Sequence, residues 1–341
     1  MAETLLQVED LVVHYPVRGA GTLFRPRQTV HAVDGVSLAI GRQETLGLVG
    51  ESGCGKSTTG RAALLLERPT SGKVRFEDRE LTTMDAGDLF AMRRRMQIVF
   101  QDPIASLNPR HTVGHVIAEP LAVHHLAPER TRRARVAELL DLVGLPGDAI
   151  SRYPHEFSGG QCQRIGIARA LAAEPDFLVL DEPVSALDVS IQAQILQLLS
   201  DLQDKLGLSY LFIAHDLAVV GEMSDRVAVM YLGKVVELAE RDSLYRRPHH
   251  PYTQALFAAV PVPDPEIGAR RHTVVRGEVP SALAPPAGCR FHTRCPLAQD
   301  RCRTEEPLLR RVADGHQVAC HFAEEAVRAD AFGSVAELAG S

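Results

Sequence analysis

Nine consecutive residues, Gly50-Glu51-Ser52-Gly53-Cys54-Gly55-Lys56-Ser57-Thr58, restrict the possible folds of this chain more than any other stretch. They follow an apolar run ending at Leu48-Val49 and precede a helical pattern over Thr59–Leu66, so the context predicts strand, loop and helix. Gly50, Gly53 and Gly55 let backbone N–H groups turn inward on bound phosphates without a Cβ clash. Lys56 adds a positive point charge, and the helix N-terminus adds its dipole. Ser57 offers a hydroxyl to the Mg²⁺ that accompanies a triphosphate. A Gly-rich turn matches such letters by chance, but not in this context. The stretch predicts binding of a nucleoside triphosphate.

The bulk properties set limits on what surrounds that loop. At 341 residues, the chain has room for one large domain and a smaller one. A net charge of −6 argues against binding duplex DNA by bulk electrostatics. Met1–Asp10 is acidic and lacks the basic-then-apolar layout of a signal peptide. No run approaches the roughly 20 apolar residues that span a bilayer. The expectation is a cytoplasmic protein whose membrane role, if any, comes through partners.

Strand-like patterns cover Leu5–Tyr15, Val30–Ile40, Glu44–Val49, Lys73–Phe76 and Met96–Phe100, with a loop over Gly19–Gln28. From Thr112 to Ala173 the pattern turns helical. Val136, Leu139, Leu140 and Val143 mark one amphipathic face there. Phe177–Leu180 reads as a buried strand, Ile191–Leu206 as a helix and Tyr210–Ala214 as a strand. Arg226–Tyr231 and Lys234–Glu237 read as strands joined at Leu232-Gly233. Beyond Tyr245, prolines at 248, 251, 261, 263 and 265 change the texture, which puts a domain boundary near 245.

The polar groups stand where the strands stop. Gln101, Asp181-Glu182 and His215 each fall at a strand's carboxyl end, as the phosphate loop does, and in open α/β sheets ligands bind along that edge. Asp181 is placed to hold Mg²⁺, directly or through water. Glu182 is placed to polarise or orient an attacking water. Two solvated acids at a strand end would look the same in isolation. Phe157-Ser158-Gly159-Gly160-Gln161 precedes another helix, with Ser158 as its N-cap and two glycines allowing close approach of a phosphate. A second phosphate cradle in one chain suggests nucleotides shared between two subunits.

Together these motifs resemble the ATP-binding cassette (ABC) ATPases, and residues ~5–240 carry them in unbroken order. Ser158-Gly159-Gly160-Gln161 is similar to the family signature, with Phe157 where Leu is usual and Cys162 where Arg or Gln is usual. Gln101 resembles the Q-loop, Ser185-Ala186-Leu187-Asp188 the D-loop, His215 the switch histidine, and Tyr15 the aromatic that stacks on adenine. The resemblance implies an α/β P-loop NTPase fold. Its parts would be a RecA-like core, an antiparallel β subdomain and a helical signature subdomain near 102–173, within an ATP-binding domain over 1–245. Two cassettes would meet head to tail, each ATP lying between the Gly50–Thr58 loop of one and the Ser158–Gln161 signature of the other. By the same resemblance His215 contacts the γ-phosphate, and Ser57, Gln101 and Asp181 serve Mg²⁺.

Val33-Asp34-Gly35-Val36-Ser37, Gln101-Asp102-Pro103 and Pro248-His249-His250-Pro251-Tyr252-Thr253-Gln254-Ala255-Leu256 are similar to the dipeptide/oligopeptide importer ATPases. The Gly19–Gln28 loop resembles an insertion in one member of their ATPase pairs. The implied assembly is two ATPases (identical copies or paralogues) under two permeases, fed by an external solute-binding protein. It would lie peripherally on the cytoplasmic face of the inner membrane and bind no nucleic acid.

Four of the six cysteines cluster late, at Cys289, Cys295, Cys302 and Cys320, in an extension over 246–341. In a reducing cytosol this suggests metal, and four thiolates suit Zn²⁺ or a [4Fe–4S] cluster. Zinc sites more often show paired C-x₂₋₄-C knuckles, absent here. Gly288–Pro296 resembles the iron–sulfur segment of peptide-importer ATPases, which favours the cluster. His292, His316 and His321 offer a mixed site, four metal-free buried thiols are a further alternative, and a structural staple is a plainer role for a cluster than redox sensing. A soluble cassette ATPase of DNA repair or translation is the rival function. An importer of nickel or glutathione is a variant of the main one.

Overall fold

The computed structural model describes residues 3–17, 28–259 and 277–329. The loop expected over Gly19–Gln28 lies outside them apart from Gln28, as do Pro261, Pro263 and Pro265. In chain order the elements begin β1 (Thr4–Val17), β2 (Gln28–Gly41), β3 (Thr45–Val49), α1 (Lys56–Ala63), β4 (Ser71–Phe76), β5 (Arg79–Glu80), α2 (Ala86–Arg95) and β6 (Met96–Val99). Then come α3 (Val113–Val123), α4 (Glu129–Leu142), α5 (Gly159–Leu171), β7 (Phe177–Asp181), α6 (Val189–Leu206), β8 (Ser209–Ile213) and α7 (Leu217–Met223). β9 (Arg226–Tyr231), β10 (Lys234–Glu240), α8 (Arg241–Arg246), α9 (Pro251–Ala258), β11 (Arg310–Ala313) and β12 (His316–Val318) complete the labelled set. The chain packs as two compact units.

The first unit comprises Met1–Leu6, Ala39–Thr45 and Arg75–Ala214. Its β6, β7 and β8 pair in parallel, with Leu180 opposite Val99 on one side and Phe212 on the other. Every residue of β7 and β8 is buried, as the continuous apolar runs require of parallel strands covered on both faces. The helices α3, α4 and α5 pack together, and α4 buries Val136, Leu139 and Leu140 on the expected face. Asp181 is the last residue of β7 and 1% exposed, so it lies inside the strand rather than just beyond it.

The second unit comprises Gln7–Leu38, Leu46–Val74 and His215–Ser341. Here β3 runs parallel to β9, Val49 facing Val229. β9 turns back into β10 through Leu232-Gly233, both in the left-handed region (φ 43 and 84). Beyond β10 the tail adds β12 and then β11, both antiparallel. These two strands were not legible in the sequence, because Arg310-Arg311-Val312-Ala313 and His316-Gln317-Val318 are too short to show alternation.

The sequence changes texture near 245. Residues on both sides of it share the second unit, and the reason is Glu237 on β10, 0% exposed. Its carboxylate accepts the N–H groups of His249 (2.6 Å) and His250 (3.0 Å) and faces His316 Nε2 at 2.7 Å. A buried carboxylate needs such partners, and here the partners are the extension itself. The described residues of the 246–341 extension lie in the same compact unit as the phosphate loop.

Candidate nucleotide-binding site

The phosphate loop leaves the fully buried β3 and enters α1 at Lys56, three residues before the expected Thr59. Gly55 makes the early start possible. It is in the left-handed region (φ 107), and a Cβ there would meet the Ala32 carbonyl oxygen at 2.1 Å. The helix ends at Ala63 rather than Leu66, where Leu65 takes a positive φ of 52. Lys56 is buried (4% exposed), and its ammonium donates to the carbonyls of Gly50 (2.7 Å) and Glu51 (3.1 Å), closing the loop on itself. Burial pushes the Cys54 thiol up despite the nearby Lys56, so Cys54 is a neutral packing residue and not a nucleophile. Ser52 and Gly53 are exposed, while Ser57 and Thr58 are half-buried. Tyr15 is half-buried near the end of β1, and His215 is exposed two residues beyond Ile213.

The first unit carries the other polar set. Gln101 Nε2 donates to Glu182 Oε2 at 2.9 Å, so two residues 81 apart in sequence meet. Glu182 takes a left-handed conformation (φ 49), unusual for a side chain with a Cβ, and its carbonyl accepts the Ser185 hydroxyl at 3.1 Å. Its own N–H donates to the Ile213 carbonyl at 2.9 Å. Ser158 caps α5 through a reciprocal box: its Oγ accepts the Gln161 N–H (3.4 Å) and the Gln161 Oε1 accepts the Ser158 N–H (2.9 Å). A Cβ on Gly160 would meet Ile191 Cγ2 at 2.5 Å, and one on Gly159 would touch Leu187 of the D-loop at 3.4 Å. Signature and D-loop are thus packed together. Ser158, Gln161, Ala186 and Asp188 nonetheless stay exposed. Cys162 is fully buried, its Sγ 3.5 Å from the Pro154 carbonyl, which makes it a packing residue under the signature.

Comparison with known proteins bears on this pattern. Residues 33–185 match the family model described as ABC transporter, and residues 236–302 match that described as oligopeptide/dipeptide transporter, C-terminal region. A putative peptide import ATP-binding protein of Brucella ovis is 52% identical over 321 residues, covering 94% of this chain and 98% of that protein. The oligopeptide transport ATP-binding protein AppF of Bacillus subtilis is 50% identical over 322 residues, with coverage of 94% and 98%. The solved post-hydrolysis dimer of the ATP-binding cassette MJ0796, bound to ADP and Pi, superposes with a TM-score of 0.62 at 28% identity. It covers 70% of this chain and 99% of that one. The chain belongs to the ABC transporter family.

This cassette ATPase carries contacts that sequence spacing did not suggest. Arg294 forms a two-pronged ion pair with Glu51 of the phosphate loop, at 2.9 and 3.0 Å. The Tyr252 hydroxyl accepts the Glu51 N–H at 2.9 Å. Arg290 donates to the Leu232 carbonyl and pairs with Asp34, which His14 also meets at 3.1 Å. Desolvation alone would raise the Asp34 carboxyl. Arg290, with His14 and Lys234, outweighs it and holds the group below its ordinary value. An arginine in a Cys- and His-rich segment reads as a solvated charge, and nothing in the linear pattern relates position 294 to 51.

Cys289, Cys295, Cys302 and Cys320 line one cavity with His292 and His321. His316, by contrast, belongs to the Glu237 pair. Burial pushes three of the four thiols up, Cys289 to about 11 and Cys295 and Cys320 to about 12. Among the described residues no three of the four sulfurs lie within 4.8 Å of one another. Four cysteines around one space are a donor set that suits a metal ion or a cluster.

Proposed function

We propose that this chain is the ATP-hydrolysing subunit of an importer for di- or oligopeptides. The observation that carries the reading is similarity to named peptide-import ATPases across 94% of the chain, including the C-terminal region. The chain works with a second cassette and two permeases, on the cytoplasmic face of the membrane. No described helix is long and apolar enough to cross a bilayer itself. The exposed faces of the signature and D-loop, with Val189 82% exposed beside them, suit a surface that a second cassette covers. The exposed stretch around Gln101-Asp102 and Ile104 suits a contact with a permease.

In this reading the Gly50–Thr58 loop and Lys56 bind the β- and γ-phosphates, and Tyr15 stacks on adenine. Ser158–Gln161 meet the ATP held by the partner's loop. Ser57, Gln101 and Asp181 provide the hard oxygen donors that suit Mg²⁺, which neutralises charge developing on the phosphates. Glu182 accepts the proton of the attacking water, or orients that water, and Gln101 holds the Glu182 carboxylate in place through its amide. His215 contacts the γ-phosphate. In the C-terminal extension the four cysteines hold a [4Fe–4S] cluster that staples a segment poor in regular structure.

The test is affinity purification of the chain from detergent-solubilised membranes, followed by mass spectrometry. Recovery with two multi-span permeases and a second cassette supports the importer. Recovery alone, or with ribosomes or DNA-repair proteins, would sink it.

A further inference from the structure

Glu51 is the only acidic side chain in the phosphate loop, and a carboxylate there is a like charge to the triphosphate the loop would bind. Its charge is answered by Arg294. The two pair in the bidentate geometry that fixes position as well as charge. Arg294 is 8% exposed at its side chain and Glu51 is 30% exposed, so this is not a solvent-screened surface pair. The guanidinium carbon lies 5.9 Å from the ring centres of Tyr231 and Phe291, and the Arg294 N–H donates to the Phe291 carbonyl at 3.0 Å. The arginine is therefore held before Glu51 is considered.

Its origin matters as much as its contact. Arg294 sits in the turn between Cys289 and Cys295, directly before Cys295. Tyr252, which takes the Glu51 N–H, also packs at a tilt against Tyr231 and Phe291. Both the side chain and the backbone of Glu51 are thus fixed by residues far along the chain, one of them in the cysteine segment.

We propose that Arg294 is a positioning residue of the nucleotide site: by neutralising Glu51 and anchoring it, the four-cysteine segment sets the affinity of the phosphate loop for ATP. The inference rests on the nucleotide-binding role of Gly50–Thr58. It makes the cysteine segment part of the ATP site's electrostatics, so that displacing the Cys289–Cys295 turn uncovers a negative charge in the loop.

The experiment compares dissociation constants for ATP with Mg²⁺ in the full-length wild type, Arg294→Met, Arg294→Lys, Glu51→Gln and the double variant Arg294→Met/Glu51→Gln. Iron content and unfolding midpoint are measured beside them. Arg294→Met weakens binding on the order of tenfold with its iron content unchanged, because the Glu51 charge is left uncompensated. Glu51→Gln added to Arg294→Met restores most of that loss, since there is no longer a charge to mask. Arg294→Lys, which keeps the charge but loses the two-pronged grip, falls between wild type and Arg294→Met. Wild-type affinity in Arg294→Met overturns the proposal. So does a loss that Glu51→Gln fails to restore, which would make Arg294 merely structural, and so does a folded Arg294→Lys as weak as Arg294→Met. A wild type that binds ATP no better than Lys56→Ala would instead remove the nucleotide reading itself.

Discussion

The amide of Gln101 donates to the carboxylate of Glu182 at 2.9 Å, tying the residue beyond β6 to the residue beyond β7. Parallel pairing of those strands brings the two ends together, and Glu182 adopts a left-handed backbone (φ 49) in doing so. Such a conformation costs of order 1–2 kcal/mol for a side chain with a Cβ.

Replacing Glu182 by Gln keeps the shape and the Gln101 contact but removes the base. Turnover should fall by at least about a hundredfold while ATP still binds. Phosphate release and equilibrium nucleotide binding check this on the same preparation. Normal turnover would remove Glu182 from the catalytic role.

Lys56→Ala should lose nucleotide affinity, by roughly tenfold or more, because a charge-assisted phosphate contact goes with the side chain. It also deletes the two bonds that fold the loop onto Gly50 and Glu51. Titration with a fluorescent ATP analogue measures the loss. An unchanged constant would place the phosphates elsewhere.

Anaerobically purified protein should be brown, with iron and acid-labile sulfide near about four per chain. Of the cysteines that line the cavity, burial pushes the thiols of Cys289, Cys295 and Cys320 up, to about 11, 12 and 12. Colourless protein with stoichiometric zinc would exclude the cluster.

Glu237→Met should destabilise the second unit by about 3 kcal/mol or more, since it strands His316, the buried His250 N–H and the half-buried His249 N–H without their acceptor. Urea unfolding measures it. The extension beyond 245 should become the first site of proteolysis. Equal midpoints for the variant and the wild type would mean that other contacts hold the tail.

Acid sensitivity should trace in part to His250. Burial holds its pKa down at about 4, against an ordinary 6.5, and its Nδ1 accepts the Tyr252 N–H at 3.0 Å, which requires that nitrogen to be unprotonated. Between pH 6.5 and 4 the unfolded chain binds the proton and the folded chain does not. Stability from this group is therefore complete above 6.5 and declines as pH falls towards 4. His250→Asn retains a capping acceptor without titrating, so its unfolding midpoint should depend less on pH across that window. Parallel slopes for the two proteins would assign the acid transition to other groups.

The sequence by itself determined the phosphate loop, the order of the motifs and most strands before residue 245, but not the helices α2 and α7. Those features are local. Glycine spacing, a cap such as Ser158 with Gln161, or the apolar run Phe177–Leu180 each need only a few neighbours to be read. Tertiary structure decided what the residues after 245 do. β12 pairs with β10 because buried Glu237 demands partners, and Arg294 reaches Glu51 because aromatic packing of Phe291, Tyr231 and Tyr252 holds its segment there. Desolvation is the physical reason. A charge costs little in the unfolded chain, so its partner leaves no trace in spacing until folding removes the water from both.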